Sequence, residues 1–176
     1  LAPSRSVATS APVTARVDQG PNGATGRAAI GPEAPSPGAA AALAANAVAD
    51  ELGGRAVDLA FMFLTPEHLG HAAEAAAQLG VQVLLFNCSQ PEVIGDAIDV
   101  ARQTFERLGV PIQVGAYANA FPPQPKEATA NDGLDPLRDD LDPPGYLHWA
   151  ADWQARGASH LGGCCGIGPE HIAVLA

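Results

Sequence analysis

Val81-Gln82-Val83-Leu84-Leu85-Phe86, running into Asn87-Cys88-Ser89-Gln90 and then Pro91, is the stretch on which the reading of the fold turns. A short, almost unbroken apolar run of this kind is what a parallel strand covered on both faces requires. The polar linker then delivers the chain to a proline suited to the first turn of a helix. Beyond it Ile94, Ala97, Ile98, Ala101, Phe105 and Leu108 fall on one helical stripe, and Gly109 is placed to stop the helix. The unit is a strand followed by an amphipathic helix.

Reading outward, the pattern recurs. Upstream, Val57 to Leu64 is a second apolar run, followed by Thr65 as a cap, Pro66 as first helical residue, a stripe of Leu69, Ala72, Ala73, Ala76 and Leu79, and Gly80 as stop. Downstream, Ile112 to Tyr117 predicts a further strand. A loop from Asn119 to about Pro144 follows, longer than the roughly 12 to 15 residues of a plain connection. Tyr146, Trp149, Ala150 and Trp153 then mark a helix ending at Gly157, Ala158 to Leu161 predicts a short last strand, and a final helix starts near Pro169. Alternation of strand and helix at this spacing predicts an α/β fold, a parallel sheet with helices outside it. Cys88, Asn119, Cys164 and Cys165 then all lie at carboxyl ends of strands, the edge where such folds gather chemistry.

At the amino terminus, Leu1 to Gly38 is dominated by Ala, Ser, Thr, Pro and Gly without apolar periodicity, which predicts a disordered tail. Ala39 to Leu52 is alanine-rich and ends at Gly53-Gly54, the composition of a helix stopped by glycine. The expected organisation is a tail over 1–38, a helix plus one β/α unit over 39–80, and a further segment over 81–176.

The chain has 176 residues, 47% hydrophobic and 16% charged, as suits a globular protein. With 19 acidic against 9 basic residues its formal charge is -10, which repels nucleic acid and anionic membranes. No apolar run approaches the roughly 20 residues that cross a bilayer, and no secretory signal pattern is present, so the expected location is the cytoplasm. Three cysteines, two of them adjacent, fit a disulfide framework poorly and a reduced metal site better.

Cys88 and the Cys164-Cys165 pair are far apart in the chain, so only the fold can bring them to one ion. Glycines at 162, 163 and 166 flank the pair and free the backbone to turn both sulfurs one way, where neighbouring strand side chains face opposite ways. Three thiolates around zinc leave a fourth tetrahedral position for a substrate, as in catalytic sites. A substrate thiol there would lose its proton at neutral pH and stay nucleophilic towards an activated methyl group. The plainer readings stand beside this one: a strand-end cysteine as a small buried hydrophobe, and a vicinal pair as a redox switch or a small-residue turn.

Asn87-Cys88 after one strand, Tyr117-Ala118-Asn119-Ala120 after the next, and Gly162-Gly163-Cys164-Cys165-Gly166 with Pro169-Glu170-His171-Ile172 resemble the homocysteine S-methyltransferase family. The resemblance covers about Val81 to Ala176. It implies the last three strands of a (β/α) TIM-type barrel, and Zn2+ as cofactor held by Cys88, Cys164 and Cys165. Asn87 and Asn119 would then lie at the substrate, although Ala118 stands where a proline is usual in the family. The implied reaction is methyl transfer from a sulfonium donor, S-methylmethionine or S-adenosylmethionine, to homocysteine, giving methionine, with betaine a less favoured donor.

A barrel of this type takes about 250 residues. The family's glycine- and acid-containing loop that holds the amino acid end of homocysteine has no counterpart before Val81, nor does the strand that ends in a glutamate. Ala56 to Leu64 with His71 to Ala75 is instead similar to the start of FIST-type sensory domains. A non-catalytic zinc- or small-ligand-binding remnant or sensory module is therefore the alternative to an enzyme.

Among the remaining residues, His68 and His71 lack a third ligand and read as a solvated face. His171 reads as packing or capping in the first turn of its helix, and Trp149 with Trp153 as core. The aspartates at 132, 135, 139, 140 and 142 read as a solvated run without the spacing of a calcium loop.

Overall fold

The structure is a computed structural model describing residues 13–18, 26–30, 45–47, 49–51, 53, 59–63, 69–124, 133 and 135–176. They fall into two units, one up to Val81 and one from Gln82 onward.

In the first unit, β1 (Val13–Asp18), β2 (Gly26–Ile30) and β3 (Leu59–Phe63) form a sheet of order β2-β1-β3. Both pairings are antiparallel, with Ala15 opposite Ala28 on one side and Met62 on the other. Two expectations are corrected here. Residues 13–18 and 26–30 are strands, where a structureless tail was expected over 1–38. The apolar run expected from Val57 to Leu64 does form a strand, but it joins an antiparallel ladder. Apolar continuity reports burial, and carries no information on the direction of the neighbouring strand.

Residues 45–47 and 49–51 are helical, in agreement with the alanine-rich composition there. Helix α1 (Leu69–Leu79) buries Ala72, Ala73, Ala75, Ala76 and Leu79. It ends at Gly80, whose φ of 66° lets Gly80 N–H and Val81 N–H reach back to the carbonyls of Ala77 and Ala76. The expected cap at Thr65 and Pro66, and His68, lie outside the described residues. His71 faces Glu74 at 3.2 Å on a partly exposed surface, as a solvated face should.

The second unit is the parallel α/β arrangement that the sequence predicts. β4 (Val83–Asn87), β5 (Gln113–Tyr117) and β6 (His160–Leu161) form a sheet of order β4-β5-β6, with Asn87 level with Tyr117 and Ala116 level with Leu161. Since all three strands run the same way, their carboxyl ends share one edge. β4 flanks this sheet, and Leu85 accordingly remains 44% exposed.

Helix α2 (Pro91–Leu108) opens on proline and buries Ile94, Ile98, Ala101 and Phe105 on one face. Gly109, at φ 67°, closes it through bonds to the Glu106 and Phe105 carbonyls. Helix α3 (Pro143–Ala155) is capped by Asp142, whose carboxylate accepts from Gly145 N–H at 2.9 Å. It buries Tyr146, Ala150 and Trp153, with Tyr146 edge-on to Trp153 at 5.7 Å. Trp149 departs from expectation: it is half-buried and stacks on Trp153, which alone of the two is fully enclosed.

Helix α4 (Pro169–Leu175) follows the loop after β6. Arg138 N–H bonds the Ala120 carbonyl, and a 3-10 turn over Asp139–Leu141 buries Leu141. Asp132 lies outside the described residues.

Candidate metal centre

Each thiol is delivered by a strand that has just ended. Cys88 follows Asn87 at the end of β4, and its N–H donates to the Tyr117 carbonyl at 2.8 Å, extending the ladder by one bond. It then adopts φ 55°, the one described non-glycine residue with positive φ. A side chain in the left-handed region is disfavoured by about 1–2 kcal/mol, so contacts on both sides must hold it there. Nothing in the sequence announces this, since a strand-end cysteine is equally compatible with extended backbone.

Cys164 and Cys165 arrive from β6. Cys164 N–H donates to the Ala118 carbonyl at 2.9 Å, and the Cys165 carbonyl accepts from Ala120 N–H at 2.9 Å. The loops after β5 and β6 are thus laced together. The flanking glycines serve two purposes rather than the single one expected. Gly166 has φ 81° and uses left-handed freedom, whereas a Cβ at Gly162 would collide with the Tyr117 ring. Close approach explains Gly162, and backbone turning explains Gly166.

The result is a cluster of three sulfurs. Cys88 Sγ lies 3.8 Å from Cys165 Sγ, Cys164 Sγ lies 3.7 Å from Cys165 Sγ, and all three are within 4.8 Å of one another. Two sulfurs each about 2.3 Å from one tetrahedral ion stand about 3.8 Å apart. The donor set therefore fits zinc in chemistry and in spacing. Cys88 and Cys165 are exposed and Cys164 half-buried, so the cluster is open to a ligand from solvent.

The environment separates the thiols. Burial, and then the neighbouring Cys164 and Cys165, push the Cys88 thiol up to about 11. Cys164 is also partly desolvated, which acts upward. Hydrogen bonds from Cys88, from the Cys165 backbone and thiol and from the Asn87 side chain outweigh this and bring it below the ordinary thiol value.

Asn87 and Asn119, the two expected substrate contacts, occupy different positions. Asn87 lies at the exposed end of β4, where its side-chain amide contributes to lowering the Cys164 thiol. Asn119 is 8% exposed and its amide is engaged by protein. Nδ2 donates to the Cys88 carbonyl at 3.0 Å, and Oδ1 accepts from Phe121 N–H at 3.0 Å and from Gln90 Nε2 at 3.2 Å.

Three residues assigned no site role in the sequence join them. Tyr146 accepts from Ala118 N–H at 3.2 Å and donates to the Gly162 carbonyl at 2.6 Å, pinning the loops after β5 and β6, and burial pushes its hydroxyl up to about 12. Gln90 and Arg138 continue the network beyond Asn119. Polar residues in loops are common enough that their identity alone carried no signal. His171 does pack and cap as expected: it is buried, Nδ1 accepts from Gly168 N–H at 3.1 Å, and Nε2 donates to the Leu141 carbonyl at 2.9 Å.

No curated protein matches the chain. The family model described as homocysteine S-methyltransferase matches residues 39–176. That match starts well before Val81, where the resemblance in the sequence begins, and so takes in residues 39–80, part of which was likened to FIST-type domains. It also contains every residue of the sulfur cluster. Spanning more than half of the chain, and including a cysteine triad with the spacing of a tetrahedral thiolate site, the match places this protein in the homocysteine S-methyltransferase family.

Proposed function

We propose that this protein transfers a methyl group from a sulfonium donor, S-methylmethionine or S-adenosylmethionine, to homocysteine, with Cys88, Cys164 and Cys165 holding a zinc ion. The family supports methyl transfer to homocysteine. The observation that carries the reading is the sulfur spacing, 3.7 and 3.8 Å, in a cluster exposed to solvent. Zinc at this site would supply the Lewis acidity that deprotonates an incoming thiol near neutral pH.

The chain's own residues do the rest. The parallel sheet brings the two cysteine loops to one edge, and the bonds from Cys88 to Tyr117 and from Cys164 to Ala118 fix them. Tyr146 holds the backbone on either side of the cluster. In the transfer itself the homocysteine sulfur attacks the methyl carbon. A new S–C bond forms as the donor's S–C bond breaks, the donor leaves as a neutral thioether, and the thiol proton passes to solvent. Thiols this close stay reduced in a reducing compartment such as the cytoplasm, where we place the reaction.

We further read β4, β5 and β6 as consecutive strands of a (β/α) barrel. One observation favours a second reading, a module that holds metal without turnover. Among the described residues only three strands are parallel, where such a barrel has eight, and β3 pairs antiparallel.

Zinc-loaded protein supplied with homocysteine and each donor in turn, with methionine measured, separates the readings. Methionine from the parent chain and none from Cys164→Ser is the expected result. Zinc bound at one equivalent without product supports the second reading, and absence of zinc binding removes both.

A further inference from the structure

Asn119 Nδ2 holds the carbonyl of the residue with the least favourable backbone in the cluster, Cys88, and what fixes the direction of that amide lies further out. Gln90 Nε2 donates both to Asn119 Oδ1 at 3.2 Å and to the Phe121 carbonyl at 3.0 Å. Its own Oε1 accepts from Arg138 Nη1 at 3.2 Å. Arg138 is anchored by Glu92 and Asp140, each at 2.6 Å from Nη2.

A guanidinium has donors only and stays charged. Facing Arg138, Gln90 must present its oxygen, so its nitrogen faces Asn119. Asn119 must then present its oxygen to Gln90 and Phe121 N–H, so its nitrogen faces Cys88. Reversing either amide would set donor against donor at one end and acceptor against acceptor at the other. The polarity of the whole chain of bonds is set at Arg138 and read out at the Cys88 carbonyl.

We propose that Gln90 is a positioning residue for the metal centre, transmitting the orientation imposed by Arg138 through Asn119 to hold Cys88 in its left-handed, ligating conformation. The inference rests on the zinc reading above and adds to it a residue that touches neither metal nor substrate. Partners of this kind typically alter metal affinity by 10- to 100-fold when lost.

Gln90→Glu keeps shape and volume but replaces the double donor by an acceptor, which turns two hydrogen bonds into repulsions. Gln90→Ala merely removes them. A relay of polarity therefore predicts that zinc affinity, measured by competition with a chromophoric chelator, falls about 10-fold or more in Gln90→Glu and less in Gln90→Ala. A carboxylate at 90 would gain a charge-assisted bond from Arg138 Nη1, which offsets these repulsions in overall stability, so the melting temperature of the metal-free protein should change little in Gln90→Glu. A packing role predicts the reverse order, and that order, or two variants binding zinc like the parent, overturns the proposal.

If the parent itself binds no zinc, the functional reading falls. The relay is then judged on hydrogen exchange of the Asn119 and Phe121 amides in metal-free protein: faster exchange in Gln90→Glu than in the parent sustains it, and equal exchange overturns it.

Discussion

The two sheets of this protein each hold three short strands and differ in what their ends can do. In the sheet of β1, β2 and β3 neighbouring strands run in opposite directions, so carboxyl ends alternate between its two edges. In the sheet of β4, β5 and β6 they run together, and loops distant in sequence open side by side. Cys88 and Cys165 stand 3.8 Å apart for that reason. Parallel pairing, rather than any local motif, assembles the cluster.

The largest expected effect falls on the cluster itself. Cys165→Ser removes the sulfur that lies near both others, and zinc affinity should drop more than about 100-fold, beyond the range seen for outer-shell partners. A chelator titration checks it. The counterpart in the other sheet is Ala15→Pro in the central strand β1, paired with β2 and β3. Loss of ladder bonds should destabilise by about 3 kcal/mol or more. Zinc stoichiometry should not change, because every ligand comes from the parallel unit. Loss of zinc in Ala15→Pro would break the contrast drawn between the two sheets.

Tyr146→Phe sharpens the contrast from inside the parallel unit. It strands the buried Gly162 carbonyl and Ala118 N–H, at about 1–3 kcal/mol by denaturant unfolding. The pH profile gives an independent check. The Tyr146 hydroxyl titrates at about 12 in the folded chain against 10.0 ordinarily, so the folded state keeps a proton that the unfolded state releases. Tyr146 therefore adds to the fall in stability as pH rises from 10 towards 12, and Tyr146→Phe should flatten that limb.

Smaller again is Cys88→Gly. Relief of the left-handed backbone against the greater freedom of unfolded glycine should leave metal-free stability equal to the parent or up to about 1 kcal/mol higher. Zinc affinity should fall all the same, so a gain in fold would accompany a loss of site. The smallest effect is at the surface. The Arg138 hydrogen bond, against a lesser opposing effect of burial, holds the Glu92 carboxyl below its usual range. Its stabilisation is present above the unfolded carboxylate pKa of about 4.3 and is lost as pH falls below it. Glu92 is 45% exposed in this pair, and Glu92→Gln should therefore cost no more than about 0.5 kcal/mol near neutral pH.

Much of the parallel unit was legible in the sequence. Pro91 and Gly109 bracket α2 as expected, and the vicinal cysteines with their glycines identified the loop after β6. Val57 to Leu64 misled because apolar continuity is shared by parallel and antiparallel partners, and strands in 13–18 and 26–30 carry none of the long apolar runs that mark buried strands. At the site the cysteines could be named, being rare and chemically distinctive. Gln90 and Arg138 could not, since their contribution depends on which atom of an amide faces which neighbour, and that is set only when two loops meet.

The most direct test of the account is X-ray absorption at the zinc edge of the loaded protein, before and after homocysteine is added. Three sulfurs at about 2.3 Å, rising to four with homocysteine, is the outcome this site predicts. Fewer than three sulfurs in the loaded protein, or a count that homocysteine leaves unchanged, would contradict it.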